Sequence, residues 1–303
     1  MVQVTLNLEK MTTERRNPRT MNLDEMSALE IVTEMNREDA GVPEAIKPHL
    51  PEIAQVAEWG AASLCNGGRI FYMGAGTSGR LGILDASECP PTFGVSPDTV
   101  VGLIAGGPSA MIKAVEGAED NKELGAQDLK DHQLTSKDLV IGLAASGRTP
   151  YVIGGIEYAK SIGCRTAGIT CNEGSAIGKA ADCAIDVVVG PEVLTGSTRL
   201  KSGTAEKMIL NMISTTAMVQ IGKSYGNLMV DVVLSNEKLQ VRAENIVMDA
   251  TGVDRETAKK TIAEAGGRCK TAITMILADC GKEEAEQRLE QAHGHVRKAI
   301  LQK

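Results

Sequence analysis

Two glycine-rich segments of this 303-residue chain carry hydroxyl groups in an arrangement that suits anion binding. The first glycine loop reads Gly74-Ala75-Gly76-Thr77-Ser78-Gly79, and the second reads Ala144-Ala145-Ser146-Gly147-Arg148-Thr149-Pro150. Backbone without side chains approaches a phosphate closely, and a helix that begins in such a loop directs free N–H groups at the anion. We therefore predict that both loops bind one phosphate monoester. The predicted contacts are Gly76, Thr77, Ser78 and Gly79 in the first loop and Ser146, Gly147 and Thr149 in the second.

Each loop also has an alternative interpretation. The first matches G-x-G-x-x-G, the pattern of dinucleotide-binding folds, but that fold also places an acidic residue at the end of its second strand. The corresponding run here ends in Ile104-Ala105-Gly106-Gly107, without a carboxylate, which argues against a nicotinamide cofactor. In the second loop, the Ser146 and Thr149 hydroxyls could cap a helix that begins at Pro150. Capping and phosphate binding are compatible, so both remain open.

The elements that must position these loops are five short apolar runs that alternate with helical stretches. Runs of this kind are typical of strands buried on both faces, and the alternation predicts a parallel sheet with helices on either side. We expect a five-stranded α/β/α sandwich, with ligands bound at the carboxyl ends of its strands. The runs cover residues 69–76, 99–107, 138–146, 165–172 and 183–190.

Helical segments flank the predicted sheet on both sides. Apolar residues recur near a period of 3.6 between residues 23 and 35, with Asn22 and Asp24 as candidate caps. From about residue 240 the chain is rich in Ala, Glu and Lys, and glycine-containing breaks divide it into what we expect to be three short helices. The predicted organisation is an N-terminal helical segment (1–56), a sheet domain (57–222) and a small C-terminal helical domain (240–303).

Composition argues against several classes of partner. A net charge of −7 provides no basic field for phosphate backbones or anionic lipid, and 2% aromatic residues leave little for base stacking. The chain contains no apolar run of the roughly 20 residues that a membrane helix needs. The four histidines have no metal-ligand spacing, and the seven cysteines suit reduced thiols in a cytosol. We expect a cytoplasmic protein that needs no metal and binds neither nucleic acid nor membrane.

The motifs also resemble a known family. A strand followed by Gly-x-Gly-x-Ser and a strand followed by Ser-Gly-x-Thr are similar to the sugar isomerase (SIS) domain, which binds phosphosugars. The longer string at residues 73–94 resembles the signature of N-acetylmuramic acid 6-phosphate etherases and of the related glucokinase regulatory proteins. The likeness extends to residues 13–18, 118–120, 200–205 and 225–232, so it covers most of the chain.

The resemblance implies an activity and its site residues. It implies two catalytic glutamates, Glu88 in Ser87-Glu88-Cys89-Pro90-Pro91 and Glu119 in a stretch expected to be helical. We expect Glu88 to end the first helix of the sheet domain, because Pro90 and Pro91 force the chain out of helix. The two glutamates would cleave the D-lactyl ether of N-acetylmuramic acid 6-phosphate, giving N-acetylglucosamine 6-phosphate and D-lactate without a cofactor. A single SIS domain per chain further implies a homodimer. Which glutamate acts as acid at each step stays open.

Two other functions share the same phosphosugar site. An aldose–ketose isomerase also transfers a proton at C2, but it would not need the stretch around Glu88. A non-catalytic sensor is the second alternative, although the regulatory proteins of this type typically carry two SIS domains and this chain has one set of five strands. Arg80 and Arg148, one near each loop, could neutralise the phosphate or lie exposed at helix starts.

Overall fold

A five-stranded parallel sheet forms the centre of the structure, a computed structural model that describes residues 11–234 and 237–301. The strand order is β2-β1-β3-β4-β5, and all four pairings are parallel. The predicted α/β class and the five predicted strands are therefore confirmed. The strands are β1 (Ile70–Gly74), β2 (Val100–Ile104), β3 (Leu139–Leu143), β4 (Arg165–Thr170) and β5 (Cys183–Asp186).

Helices cover the sheet, which explains why its strands read as continuous apolar runs. Every residue of β1 and β3 is buried, as expected for central strands of a parallel sheet. Phe71 and Val140 pack with Tyr151, Val152 and Ile156 in one hydrophobic core. The helices between and after the strands are α4 (Gly76–Phe93), α5 (Lys122–Asp131), α6 (Pro150–Ile162), α7 (Ala176–Ala180) and α8 (Lys201–Gln220).

In the described chain from residue 11 onward, three α-helices precede the first strand: α1 (Ala28–Asp39), α2 (Val42–Ile46) and α3 (Leu50–Cys65). The predicted caps at Asn22 and Asp24 are wrong for α1, because Asn22 directly precedes a short 3-10 turn (Leu23–Glu25) and Asp24 lies within it. Ser27 caps α1 instead, and its side chain forms a reciprocal capping box with Glu30. Helix α3 continues across residue 56, where the sequence suggested a domain boundary.

Helix α4 departs from the sequence expectation at its C-terminal end. Pro90 and Pro91 were expected to end the helix, because proline lacks the N–H donor and crowds the carbonyl four residues earlier. The helix instead continues to Phe93 and ends at Gly94, whose φ of 61° is left-handed. The two prolines thus occupy the last turn, where each lacks the N–H that would bond the carbonyl four residues earlier.

The described residues form two compact units. The first contains residues up to 87 and 98–214, and the second contains residues 88–97 and those from 215 onward. The second unit has its own hydrophobic core, in which Ala272 and Ile273 of its central helix are fully buried. A two-stranded antiparallel ribbon precedes its helices, formed by β6 (Ser224–Tyr225) and β7 (Leu228–Met229).

The C-terminal region is helical as predicted, but the expected number of three helices is wrong. Between residues 237 and 301 the structure describes five: α9 (Glu237–Thr251), α10 (Arg255–Glu264), α11 (Cys269–Ala278), α12 (Lys282–Gln291) and α13 (Val296–Leu301). The last break lies before α13, where His293 adopts a left-handed φ of 50° beside Gly294. None of the described helices combines the length and apolar content that a bilayer crossing requires.

Candidate active site

A cavity of about 540 Å³ opens in the first unit, where both glycine loops contribute to its wall. The loops follow β1 and β3, which are neighbours in the sheet although they are not consecutive in the chain. The strand order reverses at this point, which is where open α/β sheets bind their ligands. From the loops and the residues that follow them, the lining includes Gly76, Thr77, Ser78, Ser146, Arg148, Thr149 and Pro150.

The first glycine loop becomes the first turn of α4. The helix begins at Gly76, so its earliest N–H groups are those that have no carbonyl partner within the helix. Thr77 is half-buried and Ser78 is buried, and both line the cavity. Gly79 does not line it. A Cβ atom at Gly79 would lie 2.7 Å from the carbonyl oxygen of Gly74, so this glycine permits close contact between helix and strand.

The second glycine loop ends at the N-terminus of α6. Thr149 is the N-cap residue and Pro150 occupies the first turn, as predicted. In the described part of the chain, however, Thr149 makes no side-chain capping hydrogen bond, so its hydroxyl is free for the cavity that it lines. Gly147 lines an adjoining cavity of about 480 Å³. Its φ is 72°, and a Cβ there would lie 2.5 Å from the Cβ of Ser175.

Glu119 lines the same cavity as the two loops. It lies in a turn before α5 and not in a helix, so that part of the sequence expectation is wrong. Its side chain is exposed, whereas its backbone carbonyl accepts a hydrogen bond from the N–H of Tyr151 at 3.0 Å. Ala118 beside it is buried in the core of the sheet domain. The main chain at Ala118 and Glu119 is therefore held in place, while the Glu119 carboxylate is exposed.

Glu88, the other predicted catalytic residue, belongs to the second unit. It lies on α4, and its side chain is exposed, while the neighbouring Cys89 is 2% exposed. The residues that line the cavity of the first unit do not include Glu88. Its catalytic role stays a prediction.

The two arginines near the loops differ in their surroundings. Arg80 donates from its guanidinium to the backbone carbonyls of Ala110 and Met111, each at 2.8 Å, so it fixes the segment after β2. Arg148 lines both cavities. The main cavity also contains the acidic side chains of Glu14, Glu119 and Asp120, so its walls carry more acid than base.

The sequence did not indicate that the N-terminal segment reaches this cavity. Met11 and Glu14 line it, and Asn172 holds them in place. The Asn172 carboxamide accepts from the N–H of Thr12 at 2.8 Å and donates to the hydroxyl of Thr13 at 3.1 Å. It also donates to the carbonyl of Ala145 in the second glycine loop at 3.0 Å. One side chain thus ties the N-terminal segment to the loop.

The sequence also gave no role to Glu206, which contacts the first glycine loop from behind. Its Oε1 accepts a hydrogen bond from the Ser78 hydroxyl at 2.8 Å, and Glu206 is 1% exposed. Burial raises the pKa of this carboxyl to about 8, and the hydrogen bond from Ser78 opposes the shift only in part. A buried acid therefore touches a residue of the predicted phosphate site.

The described residues contain no group of three or more His, Cys, Asp or Glu side chains placed to hold a metal ion. The cavity lining provides a pair of helix N-termini, five hydroxyls and three carboxylates. Hydroxyls and helix N-termini suit an anionic group such as a phosphate. Carboxylates suit proton transfer.

Comparison with known proteins agrees with this architecture. The profile of the glucokinase regulatory protein N-terminal SIS domain matches residues 52–160, and the SIS domain profile matches residues 123–216. A phosphoheptose isomerase from Francisella tularensis shares the fold with a TM-score of 0.50 at 17% identity, over 64% of this chain and 100% of that one.

Relatives at much higher identity cover nearly the whole chain. N-acetylmuramic acid 6-phosphate etherase of Exiguobacterium sp. (strain AT1b) is 60% identical over 97% of this chain and 100% of its own length. The etherase of Pectobacterium atrosepticum is 58% identical over 98% of both chains. Identity at this level, over complete relatives, defines a family. The chain belongs to the N-acetylmuramic acid 6-phosphate etherases.

Proposed function

We propose that this protein is a carbon–oxygen lyase that converts N-acetylmuramic acid 6-phosphate and water to N-acetylglucosamine 6-phosphate and D-lactate. The observation that carries the proposal is the 60% identity to an etherase over that relative's full length. The cavity supports it independently, because it combines an anion-binding wall with a free carboxylate, Glu119.

The two glycine loops would hold the phosphate. Helices α4 and α6 both begin at the cavity, and the positive ends of their dipoles favour an anion. Thr77, Ser78, Ser146 and Thr149 would donate hydroxyl hydrogen bonds to its oxygens. Acidic side chains line other parts of the cavity wall, so these hydroxyl donors would hold the phosphate dianion beside the two glycine loops. The sugar carbons would then face Glu119.

The reaction would proceed by elimination and then addition of water. In the open-chain sugar, the C1 aldehyde acidifies the C2 hydrogen, so a carboxylate can remove it. The C2 electron pair forms a C2=C3 double bond as the C3–O bond breaks, and an acid protonates the departing lactate oxygen. Water then adds at C3, and a proton returns to C2. Atoms balance with one water consumed and no oxidation.

We assign the proton transfers to Glu119 and Glu88. Glu119 would act at C2, and Glu88 would protonate the leaving oxygen, as the resemblance of the stretch around Glu88 implies. Glu88 would reach the sugar in a homodimer that completes the site. All seven cysteines lie among the described residues as free thiols, which is consistent with our proposal that the enzyme works in the reducing cytoplasm.

Release of D-lactate tests the proposal directly. Purified protein incubated with N-acetylmuramic acid 6-phosphate should release one D-lactate per sugar. In water labelled with heavy oxygen, the label should enter C3 of the sugar, because addition follows elimination. Label in the lactate would indicate displacement at the lactyl carbon and overturn the mechanism. Phosphosugar binding without lactate release would favour a sensor, and aldose–ketose conversion would favour an isomerase.

A further inference from the structure

The two carboxyl oxygens of Glu206 differ in their hydrogen bonding. Its Oε1 bonds to the Ser78 hydroxyl, but its Oε2 is buried and has no hydrogen-bond partner among the described residues. A carboxylate with one oxygen buried and unpaired is costly, whereas a neutral acid leaves only a carbonyl oxygen unpaired. The geometry therefore favours a protonated Glu206 behind the cavity wall.

Among the described residues, the hydrogen bond from Ser78 is the one influence that lowers the pKa of Glu206, and no cation contributes to the shift. Cys171, which follows β4, is a buried thiol whose pKa is raised first by burial and then by the negative charge of Glu206. At the start of α8, Lys201 pairs with Glu38. Glu192 accepts from the N–H groups of Lys201 and Ser202 and adds a further negative charge.

The remaining acid that acts on Cys171 is engaged elsewhere. Asp186 at the end of β5 accepts from the hydroxyls of Thr170 and Ser175. The pKa of Glu206, raised to about 8 by burial, agrees with these surroundings. Glu206 is therefore expected to change its protonation state within an experimentally accessible pH range.

The protonation state of Glu206 decides what Ser78 can offer the cavity. A hydroxyl has one proton to donate and two lone pairs that accept. If Glu206 is ionised, Ser78 donates that proton to the carboxylate and turns a lone pair toward the ligand. If Glu206 is protonated, it donates to Ser78, and the Ser78 hydroxyl is free to donate to a phosphate oxygen. Ionised Glu206 would also place a negative charge directly behind the bound dianion.

We propose that Glu206 is a positioning residue that must carry a proton for the cavity to bind a phosphosugar. The ligand class rests on the proposed function; the linkage between binding and a proton at Glu206 goes beyond it. Binding would draw one proton onto the protein whenever Glu206 is ionised beforehand. Affinity would therefore fall as pH rises through the pKa of this group.

The size of the effect follows from the fraction of protein that is competent to bind. With a midpoint near pH 8, almost all molecules are competent at pH 7 and about a tenth at pH 9, so the dissociation constant should rise roughly tenfold. The phosphate monoester loses its second proton near pH 6, so the ligand stays a dianion over this range.

Calorimetric titration with N-acetylglucosamine 6-phosphate measures the dissociation constant and the number of protons taken up on binding. The titrations would be done at pH 7, 8 and 9, in two buffers of different ionisation enthalpy. The parent protein should bind about tenfold more weakly at pH 9 than at pH 7, with proton uptake rising toward one per site. Glu206→Gln donates permanently from its amide to Ser78, so its affinity should change less than twofold and its proton uptake should vanish.

Asp85→Asn is the matched control, because Asp85 is a second buried acid in the same unit, held by Asn211 and Ser214. It should keep the parent's pH dependence. If the parent binds with equal affinity at pH 7 and pH 9, or if proton uptake persists in Glu206→Gln, this inference is wrong but the proposed function stands. The number of protons that the parent takes up tests the inference even if a variant fails to fold. No binding of the phosphosugar at pH 7 would overturn the proposed function and this inference together.

Discussion

The backbone N–H of Tyr151 donates to the backbone carbonyl of Glu119 at 3.0 Å, so the first turn of α6 fixes the main chain beneath a cavity carboxylate. Thr149, which lines the same cavity, lies two residues before Tyr151. The predicted proton-transfer group and the predicted phosphate-binding hydroxyl therefore share one rigid support. Such support favours geometry that does not depend on the ligand.

Replacing Glu119 by Gln should remove proton transfer without loosening this support. We expect lactate release to fall by at least about 100-fold, the usual contribution of a general acid or base. The melting temperature should not change, because the anchoring bond involves only the backbone carbonyl. Glu123→Gln, the same change at an exposed position at the start of α5, should keep full activity. Equal losses in both variants would contradict the role of Glu119.

Replacing Thr149 by Val should weaken phosphosugar binding. A hydrogen bond to a charged group contributes on the order of 2 kcal/mol, so KM should rise by roughly tenfold or more. Stability should be unchanged, since the Thr149 hydroxyl makes no capping bond among the described residues. The control is Thr33→Val on α1, where the exposed hydroxyl bonds only to the carbonyl of Leu29. A drop in melting temperature with an unchanged KM would show that Thr149 is a cap.

A buried ion pair between Glu38 and Lys201 should make stability depend on acid pH. Burial by itself would raise the pKa of Glu38, but hydrogen bonds from Lys201, Asn17 and Arg19 outweigh it and lower this pKa to about 2. Because the folded-state pKa lies below the unfolded value, the stabilisation is full above about pH 4.5 and is lost as pH falls toward 2.

Glu38→Gln tests this pair. The variant should lose on the order of 3 kcal/mol of unfolding free energy at pH 7. The difference from the parent should shrink as pH falls from about 4.5 toward 2, as measured by urea unfolding at several pH values. Glu44→Gln, which removes an exposed pair with Lys47, should change stability by less than about 0.5 kcal/mol. A pH-independent deficit in Glu38→Gln would argue against the ion pair as its cause.

Glu206 should affect stability in the opposite direction. Its folded-state pKa lies above the unfolded value, so the parent loses stability as pH rises from about 4.5 to about 8. Glu206→Gln lacks this titration. The free energy of unfolding of Glu206→Gln, relative to that of the parent, should therefore increase across that pH interval by on the order of 3 to 5 kcal/mol. Unfolding curves at pH 5 and pH 8.5 would measure it, and a constant difference would show that Glu206 does not titrate.

The sheet could be predicted from sequence because its strands are short and mostly apolar, and every residue of the central strands β1 and β3 is buried. That same reasoning placed Ser78 and Thr149 at one edge, since parallel strands end together. It missed the course of α4 through Pro90 and Pro91, because proline usually ends a helix and no local signal shows that this helix continues to Phe93. It also placed Glu119 in a helix, although the helix begins only after Asn121 caps it.

The parts of the site that sequence reasoning missed depend on contacts between distant residues. Ser78 and Glu206 are 128 positions apart, and Thr13 and Asn172 are 159 apart. No local period or motif links such pairs, so only the folded chain brings Glu14 to the cavity and Glu206 behind it. The available signal for Glu206 was its position on α8, because the residues three and four positions away (202, 203, 209 and 210) are small or apolar.

Because Gly79 lies so close to the carbonyl of Gly74, the position of the turn depends on glycine at residue 79, whereas other residues of the loop can vary. Contact between main-chain atoms sets where the anion-binding turn begins, so the side chain at Ala75, which lines the cavity, can be exchanged without moving the turn. Selectivity for the sugar could therefore diverge by point substitutions around an unchanged phosphate anchor. A larger residue at position 79 would instead shift the anchor itself.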